Sequence, residues 1–408
     1  MEDIVEGILG GEKEGESISS CLSLFPKLDS LELGQLPKVE RFCSGVNIPI
    51  ELPSLRGLKT WNCPVLRTLN CNSTNIDRMI TGTISLDQPQ HLFNAKVNLP
   101  VLEKLDIQNM DNLERLWHSQ LAEHSFSKLT SIVLRDCPKL LTIFPLNMLT
   151  RLQRLNHLSI WDCKSLEEII FESQPQEGSS SRAMQSFSLQ LIQSGVAFEF
   201  PRLASLTLDA LPNLRSIHRK MLTINWPSLK EMEVKGCDKV EILFSSQETS
   251  GISCQQQPLF WVNQFTFPKL HQLTLGWNVG MKEIWHCVGQ QLVSHYFPNL
   301  KVVKLEYHTE QILPLPPYLF PLLSSPNLQT LEIGKLFQKM IFISEEGGEE
   351  KSPWVRKFNL VPSSASFRNL VTLKVERCHG IVKVITHATS KSLVQLKELN
   401  INICNNIL

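Results

Sequence analysis

Residues Phe126 to Phe144 read FSKLTSIVLRDCPKLLTIF, and this stretch decides the fold. Its apolar residues follow the spacing L-x-x-L-x-L-x-x-C-x-x-L-x-x-I, which runs from Leu129 to Ile143. About 26 residues later the same spacing returns, from Leu155 to Ile169. A fixed period of this length indicates a chain built from stacked repeats, each of which contacts only its neighbours.

The spacing can be followed along the whole chain as three apolar columns. The residues of the first column are Leu28, Leu55, Leu102, Leu129, Leu155, Leu203, Leu229, Leu270, Leu300, Leu328, Leu370 and Leu396. Apolar residues recur three and five positions after each of these, and only Thr60 interrupts the third column. This x-L-x-L alternation predicts a short strand with one buried face.

One such unit cannot bury its apolar face alone, but stacked neighbours can, as in a leucine-rich repeat. The sequence therefore predicts an α/β leucine-rich-repeat solenoid, or horseshoe. It would place one short parallel strand per repeat on the concave face. The segments after the strands are too short for long helices, so we expect a convex side of irregular turns, short 3-10 pieces and some outer strands.

We interpret residues 1–408 as a single solenoid of about 12 irregular repeats. Loop inserts are expected near residues 71–98, 172–199, 245–266 and 344–366, which are rich in Ser, Gln, Glu and Gly. Such composition is typical of exposed loops. Neither end shows the polar capping unit that solenoids need, so we expect a piece, or a shortened relative, of a longer protein.

Charge and hydropathy exclude several classes of partner. The chain has 40 basic and 40 acidic residues, which gives no electrostatic reason to expect binding to nucleic acid or to an anionic membrane surface. No apolar run approaches 18 residues, and the acidic N-terminus MEDIVEGILGGEKEGE lacks the apolar core of a secretory signal. We therefore expect protein partners, without nucleic acid and without a membrane.

Most of the cysteines follow the repeat. Six of the 11 cysteines lie eight residues after a first-column leucine, namely Cys63, Cys137, Cys163, Cys237, Cys378 and Cys404. A small apolar residue at this position would fill the turn after the strand, so buried reduced thiols are expected. The paired C-x2-4-C spacing of a zinc site is absent. Reduced thiols favour an intracellular protein, and we predict a cytoplasmic one.

An aromatic residue or leucine followed by proline precedes many of the predicted strands. Examples are Phe200-Pro201, Trp226-Pro227, Phe267-Pro268 and Phe297-Pro298. Proline lacks an amide donor and therefore suits the entry to a strand better than its middle. The preceding side chain is predicted to close the core from the outer side.

Side chains between and just after the buried strand positions are predicted to face the concave surface. Aromatic residues and arginine dominate binding hot spots, and an exposed tryptophan is costly without a partner. The candidate partner-binding residues are Trp61, Arg135, Trp161, Glu233, Trp277 and Tyr307. The alternative is that each ring lies flat on the neighbouring repeat and makes no external contact.

No catalytic, metal or cofactor site is expected. His118, His218 and His286 share one register at the end of a repeat, which indicates a repeat feature. The sequence contains neither the nucleophile motif G-x-S-x-G nor the phosphate-binding motif G-x-x-x-x-G-K-[ST]. The chain is therefore predicted not to be an enzyme and not to bind ATP.

The repeat line F-P-x-L-x-x-L-x-L-x-x-C/L-P-x-L-x-x-I resembles a known family. It is similar to the C-terminal leucine-rich-repeat region of plant coiled-coil nucleotide-binding (NBS-LRR) disease-resistance proteins. Phe25 to Cys43, FPKLDSLELGQLPKVERFC, carries the resemblance, together with Met1 to Val5, Trp117-His118 and Trp285-His286. In that family, a coiled-coil domain and a nucleotide-binding switch precede the repeats.

The resemblance implies a recognition module in plant disease resistance. Such a module would sense a pathogen effector or a guarded host protein, and would regulate the nucleotide-binding switch that is absent from this chain. The alternative is a structural or adaptor scaffold, such as a ubiquitin-ligase substrate adaptor. An F-box-like segment upstream of Met1 would favour the adaptor, and a phosphate-binding loop there would favour the resistance protein.

The cysteine column gives a test of the alignment. We expect Cys137→Asp to lower the free energy of unfolding by roughly several kcal/mol, because it buries an unpaired charge. Thermal melting of the variant measures this effect. A variant that melts like the parent would show that the turn position is not buried.

Overall fold

A computed structural model of the chain divides it into two compact units. The first comprises Met1–Leu203 and Ala210–Thr223, and the second comprises Ala204–Asp209 and Ile224–Leu408. The structure describes residues 2–5, 22–43, 49–69, 91–118, 121–171, 198–215, 217–218, 224–237, 239, 260–262, 267–277, 285–287, 297–307, 325–334, 340–341, 367–378, 381–383, 385 and 387–404.

Parallel strands form a continuous ladder in the first unit. These ladder strands are Ser30–Gly34, Gly57–Trp61, Lys104–Gln108, Ser131–Arg135 and His157–Trp161. They pair in chain order without a register shift, so that Ile132 lies opposite Leu105 on one side and Leu158 on the other. The constant spacing of the sequence pattern explains this register, because each strand begins at the same repeat position.

The second unit has ladder strands of the same kind. They are Ser205–Asp209, Glu231–Lys235, Gln272–Trp277, Val302–Tyr307, Thr330–Gly334, Thr372–Glu376 and Glu398–Asn402. They too pair in parallel and in chain order. In each unit the fold is that of a leucine-rich-repeat solenoid, as predicted.

The three apolar columns form the core of the ladder. Leu129, Ile132 and Leu134 are fully buried, and Thr60, which interrupts the third column, is also 0% exposed. Burial is weaker at the two outermost described strands. Leu31 is half-buried, and Leu399 and Ile401 are 47% and 41% exposed. Stacking between neighbouring repeats is therefore what removes these side chains from water.

A residue in the left-handed backbone conformation follows most ladder strands, and the chain turns there. Positive φ angles occur there at Gln35, Asn62, Asn109, Asp136, Asp162, Ala210, Gly236, Arg377 and Ile403. The amide of Asp136 donates to the carbonyl of Trp161 at 2.9 Å, which extends the strand pairing by one residue. Asparagine and aspartate tolerate this conformation better than other non-glycine residues, and this accounts for the N-C and D-C pairs in the sequence.

The cysteines of the turn column carry reduced thiols, as expected. Cys63, Cys137, Cys163, Cys237 and Cys378 are buried, whereas Cys404 is half-buried. The thiol of Cys63 donates to the carbonyl of Trp61 at 3.4 Å, and burial raises the pKa of that thiol. Cys43 lies outside this column and is disulfide-bonded. The expectation of reduced thiols is therefore correct for the turn column and wrong for Cys43.

Short strands outside the ladder, here called return strands, lie before the first ladder strand and between later ones. In the first unit they are Glu2–Val5, Leu22–Ser23, Val39–Cys43, Ile50–Glu51, His91–Phe93, Val97–Asn98, Arg115–Trp117, Thr142–Pro145, Glu168–Phe171 and Phe198–Glu199. In the second unit they are Ile224–Asn225, Phe260–Val262, Trp285–Cys287, Met340–Ile341 and Ile381–Lys383. The helices of the described residues are a 3-10 helix, Leu146–Arg154, and an α-helix, His387–Ser392.

The predicted loop inserts lie largely outside the described residues. Within the insert at 71–98, the described part contains the strands His91–Phe93 and Val97–Asn98. The division of the chain into one solenoid with four inserts stays a prediction.

Aromatic side chains pack together at the return strands His91–Phe93 and Arg115–Trp117 of the first unit. Phe126, Phe93 and Trp117 are fully buried, with ring centroids 4.6 Å to 5.1 Å apart. The ring of His118 meets that of His91 edge-on at 4.9 Å. Burial, together with the nearby charges of His118 and Arg115, lowers the pKa of His91 to about 4. His91 therefore stays neutral at physiological pH and acts as a packing residue.

Hydrogen bonds from the residue before the first-column leucine join neighbouring repeats. The side-chain amides of Asn299, Asn327 and Asn369 donate to the carbonyl oxygens of Pro268, Pro298 and Pro326 at 2.6 Å to 2.7 Å. In the first unit, the hydroxyl of Ser54 donates to the carbonyl of Pro26 in the same way. Each of these bonds gives a proline carbonyl at the strand entry a hydrogen-bond donor from the next repeat.

We expect Asn327→Ala to lower the free energy of unfolding by about 0.5–1 kcal/mol, because it removes one partly solvated hydrogen bond. Asn327→Asp should cost more, since a carboxylate cannot donate to the Pro298 carbonyl. Urea unfolding of both variants measures the difference. Gln329→Ala changes an exposed neighbour and is the matched control. An equal stability of the Asn327→Asp variant and the parent would contradict this role.

Candidate protein-recognition surface

The last residues of the ladder strands form one row on the exposed face of the first unit. This row consists of Gly34, Trp61, Gln108, Arg135 and Trp161, which are register partners from strand to strand. Three of the predicted binding residues therefore belong to a single row. These residues share one face because successive residues of a strand alternate between the core and the exposed side.

Arg135 and Trp161 make direct contact at one end of this row. The guanidinium carbon of Arg135 lies 4.3 Å from the centroid of the Trp161 ring, which is cation–π distance. Trp161 remains 37% exposed and Arg135 is exposed. The pair thus presents a large ring and a guanidinium to solvent, with the orientation of both restricted by their mutual contact.

Trp61 packs differently at the other end of the row. A side chain at position 34 would overlap the Trp61 ring, which shows that the ring lies over Gly34 of the neighbouring strand. The ammonium of Lys59 lies 5.1 Å from the centroid of the same ring. Trp61 therefore lies on the adjacent repeat, as the alternative interpretation describes, and is half-buried.

Glu233 belongs to an ion-pair cluster in the second unit. The ammonium of Lys235 contacts the carboxylate of Glu233 at 2.6 Å and that of Glu306 at 3.2 Å. Burial alone would lower the pKa of Lys235, but the hydrogen bonds and charges of both carboxylates raise it overall. Glu233 is thus held by a neighbour within its own chain.

Gly276 makes this cluster possible. Its strand lies between those of Lys235 and Glu306, and Gly276 is the register partner of Glu306. A Cβ atom at Gly276 would approach the Cβ, Cγ and Cα atoms of Lys235 to 2.7 Å, 2.8 Å and 2.9 Å. The stem of Lys235 therefore crosses the space above Gly276 to reach a carboxylate two strands away.

A second charged cluster follows on the same face. The carboxylate of Glu332 lies 3.2 Å from the ammonium of Lys304 and 3.3 Å from that of Lys374. These three residues are register partners on successive strands. Ion pairs between partly exposed side chains such as these contribute about 0–1 kcal/mol each.

Trp277 and Tyr307 end their ladder strands as register partners of each other. The positions of their side chains lie outside what the structure describes. The structure therefore brings Trp61, Arg135 and Trp161 into one row. Glu233 lies on a strand of the second unit, within the Lys235 cluster.

Sequence reasoning missed a polar groove beside the left-handed turns of the first unit. The groove has a volume of about 560 Å³ and is lined by Gln35, Pro37, Asn62, Pro64, Asn109, Asp111 and Asp136. The side-chain amide of Asn109 donates to that of Asn62 at 2.7 Å. The signal available in the sequence was the polar residue directly before the turn-column position, such as Asn62 before Cys63 and Asp136 before Cys137.

Among the described residues, no three His, Cys, Asp or Glu side chains are grouped so that they could hold a metal ion. In the same part of the chain, no helix has the length and apolar character needed to cross a membrane.

A comparison with known protein families finds a match over part of the chain. Residues 101–253 match the family model described as leucine-rich repeats of RPS2-like plant disease-resistance proteins. Over this stretch the repeats are similar to those of plant disease-resistance proteins. It includes Arg135, Trp161 and Glu233. No curated protein matches the chain significantly.

A solved structure with some likeness is the crystal structure of a TLR13–ssRNA13 complex. It is 15% identical in sequence, and the match covers 93% of this chain and 68% of that chain. The TM-score is only 0.19, so the likeness supports no argument about this protein.

The close contact between Gly276 and the Lys235 side chain gives a specific prediction. We expect Gly276→Ala to lower the free energy of unfolding by about 1–3 kcal/mol, because its methyl group would collide with both stem and backbone of Lys235. Gly334→Ala is the matched control, since Gly334 also lies in a ladder strand but has its nearest neighbouring atom 4.0 Å away. Chemical unfolding of both variants provides the measurement, and equal stabilities would disprove the close approach.

Proposed function

We propose that this chain is a non-enzymatic protein-recognition module in plant disease resistance. It senses a pathogen effector or a guarded host protein, and regulates a nucleotide-binding switch of the coiled-coil NBS-LRR type that lies outside this sequence. The exposed Arg135–Trp161 pair, within the repeats that match the resistance family, is the observation that carries this proposal.

The chemistry of the pair favours a protein partner. Tryptophan offers a large rigid contact area, and the arginine guanidinium offers planar hydrogen-bond donors for a carboxylate or a carbonyl. Because the cation–π contact already restricts both side chains, less conformational entropy is lost on binding. Gln108, the register partner of Arg135, would extend the contact along the same face, and the half-buried Trp61, whose ring covers Gly34, would add a smaller apolar area.

We further propose that the module acts in the cytoplasm. The buried reduced thiols of Cys63, Cys137 and Cys163 support a reducing compartment, because oxidising compartments favour disulfides. The disulfide at Cys43 is the observation that opposes this part of the proposal.

The test is affinity capture from plant leaf extract with the whole chain and with an Arg135→Ala/Trp161→Ala variant. Truncating a central Trp or Arg costs about 2 kcal/mol or more, so the captured partner should fall roughly 30-fold or more in affinity. Quantitative mass spectrometry identifies the captured proteins, and binding of the purified candidate gives the affinity.

Matched controls separate recognition from general surface effects. Arg154→Ala removes an exposed arginine and Leu141→Ala removes a side chain that is 39% exposed, and neither residue belongs to the row. Both control variants should capture the same proteins as the parent. Capture that is unchanged in the double variant would disprove the surface, and capture of ubiquitin-ligase subunits would favour an adaptor instead.

A further inference from the structure

The polar groove of the first unit runs past the ends of four successive ladder strands. Four of its lining residues are the left-handed turn residues that directly follow these strands, namely Gln35, Asn62, Asn109 and Asp136. The four strands pair in chain order, and their last residues are Gly34, Trp61, Gln108 and Arg135. The groove therefore borders the row of the recognition surface from its first member as far as Arg135.

The length of the groove suits an extended peptide. Neighbouring strands lie about 4.8 Å apart, so the three steps from Gln35 to Asp136 cover roughly 14 Å. An extended chain rises about 3.3 Å per residue, so about four residues cover the same distance. The groove volume of about 560 Å³ lies within the usual range of ligand-binding clefts.

The Asn62–Asn109 pair in the groove has hydrogen-bonding capacity left over. The side-chain nitrogen of Asn109 donates to the side-chain oxygen of Asn62 at 2.7 Å. The side-chain nitrogen of Asn62 and the side-chain oxygen of Asn109 bond to no other residue within the part of the chain that the structure describes. The pair therefore offers one donor and one acceptor, which complement the carbonyl and the amide of a peptide backbone.

The charge of the groove favours a cationic side chain. Among the described residues that line it, Asp111 and Asp136 carry carboxylates and none is basic. Neither carboxylate forms an ion pair with another described residue. Lys139 follows Asp136 closely in the sequence, but its ammonium donates to the side-chain oxygen of Asn112 at 2.6 Å. A lysine or arginine from outside the chain would thus meet two carboxylates without a cation of their own.

We propose that this groove binds an extended peptide segment of the protein partner, about four residues long, which directs a lysine or arginine side chain at Asp111 and Asp136. The Asn62–Asn109 pair bonds to the backbone of that segment. This inference rests on the proposed function, because the groove borders the row that contains Arg135 and adds a second contact to the same partner.

Selection of peptides provides probes that do not depend on finding the natural partner. A displayed library of random short peptides is selected on the folded whole chain, and synthetic copies of the enriched peptides are labelled with fluorescein. Fluorescence polarisation gives their affinities for the parent and for each variant. We expect the enriched peptides to share a lysine or arginine. A selection that enriches no peptide, or only peptides without a basic residue, would overturn the proposal.

The variants are chosen to preserve the left-handed turns. Asn62→Gly/Asn109→Gly removes both side-chain amides at positions where glycine is tolerated, and should weaken peptide binding roughly 10-fold. Asp111→Asn/Asp136→Asn removes both charges at constant size, and should weaken it roughly two- to fivefold. Asp162→Asn is the matched control, since Asp162 is also a left-handed turn residue but does not line the groove, and it should bind as the parent does.

A change in the peptide locates its basic residue. Replacing that residue by glutamine should weaken binding to the parent but not to the Asp111→Asn/Asp136→Asn variant, because the two changes remove the same interaction. Thermal melting establishes that each variant is folded. Equal peptide affinities of the parent and both groove variants would overturn the proposal.

The same peptides separate the groove from the proposed function. Peptides that lose affinity for Arg135→Ala/Trp161→Ala and keep it for both groove variants would overturn the groove and leave the recognition surface standing. Peptides that lose affinity for the groove variants would support the groove even if no protein is captured from leaf extract, a result that would count against the proposed function alone.

Discussion

The structure depends on the burial of each repeat's apolar strand face by the repeats on either side. No strand of five or six residues could bury these side chains by itself, and at the outermost described strands they remain open to water, with Leu399 47% exposed. Between neighbours the same columns are almost completely buried. Because the strand faces have a period of two residues, a slip of one residue would expose the whole column, and the apolar pattern therefore fixes the register.

The exposed face follows from that register. Once the columns are aligned, side chains of equivalent positions lie directly opposite each other on neighbouring strands. The residue types at each position determine which contacts form. Arg135 stacks on Trp161, and Glu332 forms ion pairs with Lys304 and Lys374. Many charged side chains on the exposed face of the second unit's ladder form ion pairs with other residues of the chain. In the first unit, the Arg135–Trp161 pair leaves an exposed aromatic surface, which is the stronger candidate for recognition.

The ladder could be predicted from the sequence because it depends on local periodicity alone. The contact of Arg135 with Trp161 was also within reach, since the two residues are 26 positions apart and therefore equivalent in adjacent repeats. The Lys235–Glu306 pair was not, because it spans two strands and depends on the absence of a side chain at Gly276. The Asn327–Pro298 hydrogen bond could not be predicted, because the sequence does not show which carbonyl at the strand entry lacks a backbone donor.

Hydrogen exchange of the backbone amides, followed by mass spectrometry under native conditions, tests the stacking account most directly. Amides of Ser131–Arg135, which has ladder strands on both sides, should exchange slowly, and those of Glu398–Asn402 at the edge of the described ladder should exchange much faster. Rapid exchange in Ser131–Arg135, or equal rates in the two strands, would contradict the claim that neighbouring repeats hold each strand in place.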